Sequence, residues 1–244
     1  MSVYCCSDLH ANYNIWQQIK EHLKPNDILY NLGDTVDRGA AGLEILQETL
    51  EMPNVILLKG NHEDFIDQIG TDLWRSNTNE EYFNNLDNLG LWYQNGAKKT
   101  IEAFCSLTTE EQSKLITKIR KLPTHIEYTN TEGEILYLTH AGRQPDTAEN
   151  PDMGEGNIAM NNYIWDRYHL NEKTWRGKEN EYCVHGHTPI CYMRYFNPQK
   201  IPQNNFKIFK YCEDHKINID LGVFLTHIAC LLNLDTWEEI YFKD

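Results

Sequence analysis

Five apolar runs in this chain each end at a polar residue of one restricted kind, which is Asp, Asn or His. The residues that follow these runs are, in chain order, Asp8 and His10, Asp34 and Asp37, Asn61 and His62, His140, and His185 and His187. In sheets of the α/β type, ligands bind beyond the carboxyl ends of the strands. If the runs are neighbouring strands, side chains that are far apart in sequence are therefore expected to converge on one site.

Strands and helices alternate in the amino-terminal part of the sequence. The run 3–6 is followed by apolar residues at helical spacing, which end before Pro25. The unit then repeats, with a buried strand predicted over 27–32, a helix over 40–50 and a third strand over 54–58. This alternation is typical of a parallel sheet whose faces are covered by helices. The predicted fold class is therefore α/β.

The rest of the chain contains segments with different residue patterns. Segment 63–121 is mainly helical in pattern, with a capping box from Thr108 to Glu111, and predicts a helical insertion. Segment 144–162 is polar and without periodicity, which predicts a long surface loop. The strand-like runs beyond it predict a second, mostly antiparallel sheet, over 181–184, 206–212, 227–234 and 238–242. A length of 244 residues fits one domain, 1–244.

Composition limits the partners and the location. The chain has 36 acidic and 22 basic residues, a formal net charge of −14 and no basic run, so a nucleic-acid partner is not expected. The amino terminus lacks the basic start of a signal peptide, and the apolar stretch 221–234 is too short to cross a membrane. Seven cysteines without paired spacing predict reduced thiols and a cytoplasmic location.

The side chains at the strand ends point to metal chemistry. Carboxylate, imidazole and amide oxygen, without thiolate, suit manganese, iron or zinc in a hydrolytic centre. There are too many candidate groups for one tetrahedral ion. Two ions that share a bridging carboxylate, about 3.5–4 Å apart, would use them and would also acidify a bridging water. The sequence therefore predicts two divalent metal ions, with manganese as the first choice.

Taken in order, the motifs at these strand ends resemble the signature of calcineurin-like metallophosphoesterases. They are Asp8-Leu9-His10, Gly33-Asp34-Thr35-Val36-Asp37-Arg38-Gly39, Gly60-Asn61-His62-Glu63, His140-Ala141-Gly142 and Gly186-His187-Thr188. The Asp-Arg-Gly end of the second motif resembles the phosphoprotein phosphatase branch, and Trp165-Asp166-Arg167 resembles an arginine element of its compact bacterial and phage members. The resemblance implies a two-sheet β-sandwich flanked by helices, to which the pattern of 63–121 adds the helical insertion.

The same resemblance implies a role for each matching residue. One metal would be bound by Asp8, His10 and Asp34. The second metal would be bound by Asn61, His140 and His187, and Asp34 would bridge the two ions.

The resemblance also implies the residues that act on the substrate. Arg38 and Arg167 would hold the phosphate, because guanidinium groups suit phosphoryl oxygens. His62 would protonate the leaving oxygen, and Asp37 would orient His62 and favour its charged form. The implied mechanism is direct in-line attack by metal-bound hydroxide, without a phosphoenzyme.

The substrate is less well defined by the sequence. Pro189 follows the last motif where nucleases of the family usually carry a second histidine. His10 and Asp37 favour a serine/threonine protein phosphatase, since symmetric diadenosine tetraphosphate hydrolases of the family typically have glutamine at the first position and lack the second aspartate. The expected partner is a phosphorylated protein or a small phosphoester, and no regulatory subunit is implied. Diadenosine tetraphosphate hydrolysis remains the alternative.

Three other interpretations depend on single features. A metal-bound scaffold without catalysis is disfavoured, because it would not need Arg38, His62 and Arg167. His185 is interpreted as structural. The tryptophans Trp74 and Trp92 are interpreted as core of the helical insertion.

Overall fold

The architecture is given by a computed structural model, which describes residues 1–77, 86–142, 162–167, 170, 173–193 and 206–244. In these residues ten strands form two five-stranded sheets. The strands are β1 (Val3–Cys6), β2 (Ile28–Asn31), β3 (Val55–Leu57), β4 (His125–Thr129), β5 (Ile135–Thr139), β6 (Glu181–His185), β7 (Phe209–Tyr211), β8 (Lys216–Asn218), β9 (Ile228–Asn233) and β10 (Glu239–Lys243). The predicted loop 144–162 lies almost entirely outside the described residues.

The first sheet has the order β10-β9-β1-β2-β3 and confirms the predicted strand–helix alternation. Strands β1, β2 and β3 are parallel, with Cys6 opposite Asn31 and Asn31 opposite Leu57. The three strands therefore end level with one another. As a consequence, the polar residues that follow them emerge at one edge of the sheet.

The second sheet has the order β4-β5-β6-β8-β7 and corrects one prediction. Its centre, β5-β6-β8, is parallel, and only the outer strands pair antiparallel. Strands β9 and β10 do not belong to it, because β9 pairs antiparallel with β1 in the first sheet, with Leu232 opposite Cys5. The prediction that all late strands share one mostly antiparallel sheet was therefore wrong. An almost entirely buried strand such as β9 fits either sheet by its local pattern, so its partner cannot be identified from that pattern.

Helices flank the sheets, and two of them begin at a residue whose side chain caps the first turn. The Asn12 side chain accepts a hydrogen bond from the Ile15 backbone N–H at 3.0 Å, and the predicted capping box of Thr108 and Glu111 is confirmed. The helices are α1 (Tyr13–His22), α2 (Gly42–Glu51), α3 (Asn61–Asn77), α4 (Leu86–Gln94), α5 (Lys98–Ser106), α6 (Thr109–Arg120), α7 (Asn162–Trp165), α8 (Ile190–Met193) and α9 (Val223–Thr226). Among the described residues, none of them is both long and apolar enough to span a bilayer.

Side-chain alternation divides the core. Val3 and Cys5 of β1 pack in one buried cluster with Leu136 of the second sheet, so this cluster lies between the two sheets. Tyr4 and Cys6 point to the other face, where they pack with helix α1. A further cluster joins α3 to α6, and the seven cysteines, all described, form no disulfide bond.

Candidate metal centre

The carboxyl ends of strands from both sheets meet at one place. The loop after β1 is tied to the loop after β2, because the Asp8 and His10 backbone N–H groups donate to the carbonyls of Gly33 and Asp34, each at 3.0 Å. In the second sheet, the Gly186 N–H donates to the carbonyl of His140 at 2.9 Å. The predicted ligand residues are thus fixed by backbone hydrogen bonds between loops.

Many of these residues have an unusual backbone. Positive φ angles cost roughly 1–3 kcal/mol each for residues other than glycine, and they persist where the surrounding structure enforces them. They occur at Asp8 (54°), His10 (41°), Asp34 (59°), Asp37 (68°), Arg38 (66°) and His187 (68°). Strain of this kind often accompanies functional side chains, and four of these six residues are predicted metal ligands.

The first group of possible metal ligands combines Asp34 with His10 and His62. Their ligand atoms lie within 4.8 Å of one another, and His10 Nε2 is 3.7 Å from Asp34 Oδ2. The Nδ1 atom of His10 hydrogen-bonds to the Val36 carbonyl at 3.0 Å, which leaves the lone pair on Nε2, toward Asp34. Burial and the positive charge of Arg38 lower the pKa of His10 well below its usual range, so the imidazole is neutral, as a ligand must be.

Asp8 lies on the same side of the site. One oxygen, Oδ2, accepts hydrogen bonds from the Ser7 hydroxyl and from the His187 backbone N–H. The other, Oδ1, is buried without a hydrogen-bond partner among the described residues and lies 4.0 Å from His10 Nε2. A buried carboxylate oxygen that lacks a partner is costly unless a cation faces it, so the residues here fit a divalent metal ion.

The second group combines Asp34 with His140 and His187, and Asn61 lies among them. The Asn61 side-chain oxygen is 3.0 Å from His140 Nε2 and 2.8 Å from His187 Nδ1, and the two ring nitrogens are 3.2 Å apart. His140 Nδ1 hydrogen-bonds to the Leu32 carbonyl at 2.9 Å, which directs Nε2 into the site. These nitrogen and oxygen atoms converge as metal ligands do.

Asp34 belongs to both groups and is central to the electrostatics. Burial alone would raise the pKa of Asp34, but His140 and His62 outweigh it and hold the pKa well below its usual range. Burial alone would lower the pKa of His140, whereas Asp34 raises it to about 9. Asp34 Oδ2 lies 3.4 Å from His140 Nε2 and 3.7 Å from His10 Nε2. The site therefore holds an ionised carboxylate between two sets of imidazoles, as a bridging ligand requires.

The predicted proton donor forms a dyad with its predicted partner. His62 Nδ1 lies 2.5 Å from Asp37 Oδ2, and both side chains are fully buried. Burial alone would lower the pKa of His62, but Asp34 and the hydrogen bond to Asp37 raise it above its usual value. His62 Nε2 is 3.7 Å from Asp34 Oδ2, which is why His62 also falls in the first ligand group.

The two predicted phosphate-binding arginines border the same site. Arg38 Nη2 is 3.4 Å from His62 Nε2, and the guanidinium carbon lies 3.9 Å from the centre of the Phe224 ring. Arg167 is exposed when the whole residue is considered. Desolvation of its guanidinium group lowers the pKa of Arg167. The charge of Asp34 acts to raise this pKa and the charge of Arg38 to lower it, so the guanidinium group interacts electrostatically with both. A cavity of about 280 Å³ lies beside Arg38 and Phe224.

Glu63 is a residue whose role the sequence analysis missed. Its carboxylate is fully buried at the start of α3 and accepts hydrogen bonds from the backbone N–H groups of Asp34, Thr35 and Gly60, at 2.8, 2.8 and 3.0 Å. It therefore holds the Asp34 loop against α3. Its position next to His62 in the third motif was the available signal, but the helix start offered a simpler explanation.

Asp220 was also missed. It follows the stretch Ile217-Asn218-Ile219, two positions after strand β8 ends at Asn218, so it lies near a strand end like the other site residues. Its Oδ1 accepts from the Gly222 N–H at 2.8 Å, and its Oδ2 is buried without a hydrogen-bond partner in the part of the chain that the structure describes. Burial, and after it the charge of Asp8, raise the pKa of Asp220 well above its usual range.

His185 lies apart from both ligand groups. Its Nε2 is 2.9 Å from the Tyr211 hydroxyl, and its Nδ1 is 3.0 Å from the Gly186 carbonyl. A Cβ atom added to Gly142 would lie 2.5 Å from the His185 ring, so these residues pack tightly. This environment agrees with the structural interpretation of His185.

The sequence profile of the calcineurin-like phosphoesterase family matches residues 1–191. The chain therefore belongs to the calcineurin-like phosphoesterase family, and it is a metal-dependent phosphoesterase. The two mixed sheets flanked by helices are the fold of that family, as the resemblance implied.

Solved structures show the same fold over nearly the whole chain. A proposed diadenosine tetraphosphatase is 15% identical with a TM-score of 0.58, and the match covers 99% of this chain and 92% of that one. A metallophosphoesterase from Sphaerobacter thermophilus is 14% identical with a TM-score of 0.55, covering 100% and 88%. A cold-active protein-tyrosine phosphatase from a psychrophilic Shewanella species is 15% identical with a TM-score of 0.55, covering 99% and 77%. At these identities the likeness concerns the fold.

Proposed function

We propose that this phosphoesterase hydrolyses phosphomonoesters, with phosphoserine and phosphothreonine in proteins as its substrates. The observation that carries the proposal is the position of Asp34, whose carboxylate belongs to two ligand groups and lies 3.7 Å from the nitrogen of His62. A site of this kind combines a place for two cations with a proton donor on one side.

In this proposal the ligand groups hold two divalent ions, manganese first among the candidates. Asp8, His10 and Asp34 would hold one ion. Asn61, His140 and His187 would hold the second ion together with Asp34. When bound, such a pair supplies Lewis-acid activation of the phosphoryl group and lowers the pKa of a water molecule.

The remaining residues act on the substrate itself. Arg38 and Arg167 bind phosphoryl oxygens, and Phe224 supports the plane of the Arg38 guanidinium from one side. His62 gives a proton to the leaving oxygen, and Asp37 fixes the orientation of its ring through Nδ1. A protein that only stored metal ions would not need this arrangement.

The preference for phosphoproteins rests on Asp37. Its hydrogen bond with His62 supports a proton donor for a serine or threonine alkoxide, which is a poor leaving group. The second candidate substrate is diadenosine tetraphosphate, which one structural neighbour is proposed to hydrolyse. We favour the phosphoprotein because both His10 and Asp37 are present in this chain.

Two assays test the proposal. The purified protein, supplied with manganese, is expected to hydrolyse a chromogenic phosphomonoester, and His62→Asn is expected to lower the rate sharply. A phosphoserine peptide is then compared with diadenosine tetraphosphate at equal concentration. Faster hydrolysis of the dinucleotide would refute the substrate assignment, and no hydrolysis of any ester would refute the reaction.

A further inference from the structure

We propose that Trp92, in helix α4 of the helical insertion 63–121, is a positioning residue for the proton donor His62. Its indole N–H holds the Asp37 carboxylate in the place from which that carboxylate orients the His62 ring. The inference rests on the proposed function, because it takes His62 to be the proton donor. If the inference holds, the helical insertion contributes to the reaction as well as to the packing of the core.

The hydrogen bonds form a chain that ends at His62. Trp92 Nε1 donates to Asp37 Oδ2 at 2.7 Å, and His62 Nδ1 lies 2.5 Å from the same oxygen. The Asp37 backbone N–H donates to the Thr100 hydroxyl at 3.0 Å, so helices α4 and α5 both hold this residue. Trp92, Asp37 and His62 are buried at 0, 0 and 1% exposure, so this chain of hydrogen bonds is shielded from bulk solvent.

Aromatic packing fixes the indole as well. The Trp92 ring stacks on Phe65, with ring centres 5.9 Å apart and planes at 15°. Phe65 in turn meets the His62 ring edge to face, with centres 6.1 Å apart. Trp92 therefore contacts the dyad by two routes, one through Asp37 and one through Phe65. Rotation of the indole would disturb both of them.

The physical consequence concerns the geometry of a buried carboxylate. Hydrogen bonds to an ionised acceptor are shorter and stronger than neutral ones, and a buried oxygen that loses a donor pays the cost of desolvation. Without the indole N–H, His62 is the one side-chain donor to Asp37 Oδ2 that remains among the described residues. The carboxylate is then free to turn about its own bond, and the His62 ring follows it.

A substitution of the donor alone separates positioning from packing. Trp92→Phe keeps a stacking ring on Phe65 and removes the N–H group. Trp16→Phe is the matched control, because Trp16 is also fully buried and donates to a carboxylate, Glu48 Oε2, at 2.8 Å. Glu48 is bound by Lys20 and lies outside the candidate metal centre.

The readout is the dependence of kcat on the leaving group. Dinitrophenolate leaves without a proton, whereas phenolate needs one, so a misplaced proton donor affects phenyl phosphate most. We expect Trp92→Phe to lower kcat for phenyl phosphate about ten-fold and for dinitrophenyl phosphate by less than about three-fold. The inhibition constant of inorganic phosphate should not change, and Trp16→Phe should match the wild type for both esters.

Equal loss for both esters, or no loss for either, would overturn the inference. If His62→Asn shows the selective loss and Trp92→Phe does not, the proposed function stands and the inference about Trp92 fails. A wild-type protein that hydrolyses neither ester would refute the proposed function and the inference with it.

A second measurement does not depend on the folding of the Trp92 variant. In protein labelled with ¹⁵N at tryptophan, the indole N–H resonance of Trp92 is compared between the wild type and His62→Asn. We expect this resonance to shift, because both groups bind one oxygen of Asp37. An unchanged resonance would overturn the inference.

Discussion

The backbone N–H of His62 donates to Asp34 Oδ1 at 3.0 Å, although the two residues are 28 positions apart. The first turn of helix α3 therefore touches the carboxylate that both ligand groups share. N–H groups at the start of a helix favour a negative charge, so this contact stabilises the ionised form of Asp34. It also ties the proposed proton donor to the proposed bridging ligand.

Asp34→Asn is expected to remove metal from the protein and to abolish hydrolysis. The amide has one oxygen where two ligand groups need a carboxylate, and it cannot offset two cations. Elemental analysis should give about two metal ions per chain for the wild type and fewer for the variant. Asp214→Asn is the control, because Asp214 is exposed and has a similar φ of 65°, against 59° for Asp34. Full metal content in Asp34→Asn would contradict the assignment.

Gly60→Ala is expected to destabilise the protein and weaken metal binding. A Cβ atom at this position would lie 2.2 Å from Asp34 Oδ1 and 2.6 Å from the Asp34 backbone nitrogen, so the Asp34 loop must move. We expect a loss of about 1–3 kcal/mol in the free energy of unfolding, measured with denaturant. Gly90→Ala provides the contrast, since its Cβ would meet no atom of the described residues within 4 Å and alanine favours the helix. Equal stability of the two variants would be evidence against the close approach.

Glu63→Gln is expected to loosen the Asp34 loop. Both carboxylate oxygens accept from backbone N–H groups, those of Asp34 and Gly60 on one oxygen and that of Thr35 on the other. The amide nitrogen of glutamine cannot accept, so at least one N–H group loses its partner. A loss of about 1–3 kcal/mol in unfolding free energy is expected. Glu111→Gln should be nearly neutral, because glutamine also completes a capping box.

Phe224→Leu is expected to weaken phosphate binding. The centre of the ring lies 3.9 Å from the Arg38 guanidinium carbon, and this contact restrains the position of the guanidinium group. We expect the inhibition constant of inorganic phosphate to rise about two- to ten-fold, with the fold of the protein intact. The neighbouring Leu225 is exposed, so Leu225→Ala should leave the inhibition constant unchanged. If Phe224→Leu binds phosphate like the wild type, the ring does not support Arg38.

The candidate site was more predictable from sequence than the sheet pairing was. Asp8, Asp34 and His140 could be identified because each lies within three residues of the end of a strand, which is a local signal. Asp220 carries the same signal after β8, but that strand has three residues and includes a buried lysine, so its pattern is weak.

Other contributions to the site depend on contacts between distant segments. Trp92 reaches Asp37 across 55 positions, and nothing in its local sequence separates this role from core packing. Strand β9 has a pattern that either sheet would accept, so its pairing with β1 depends on the whole fold. Phe224 follows the Asp220 turn and meets Arg38 only in three dimensions.

The central claim is that Asp34 is shared by two metal ions. The most direct test is anomalous diffraction from crystals loaded with manganese. We expect two peaks about 3.5–4 Å apart, with the Asp34 carboxylate between them, His10 beside one and His140 beside the other. A single peak, or two peaks that make no contact with Asp34, would contradict it.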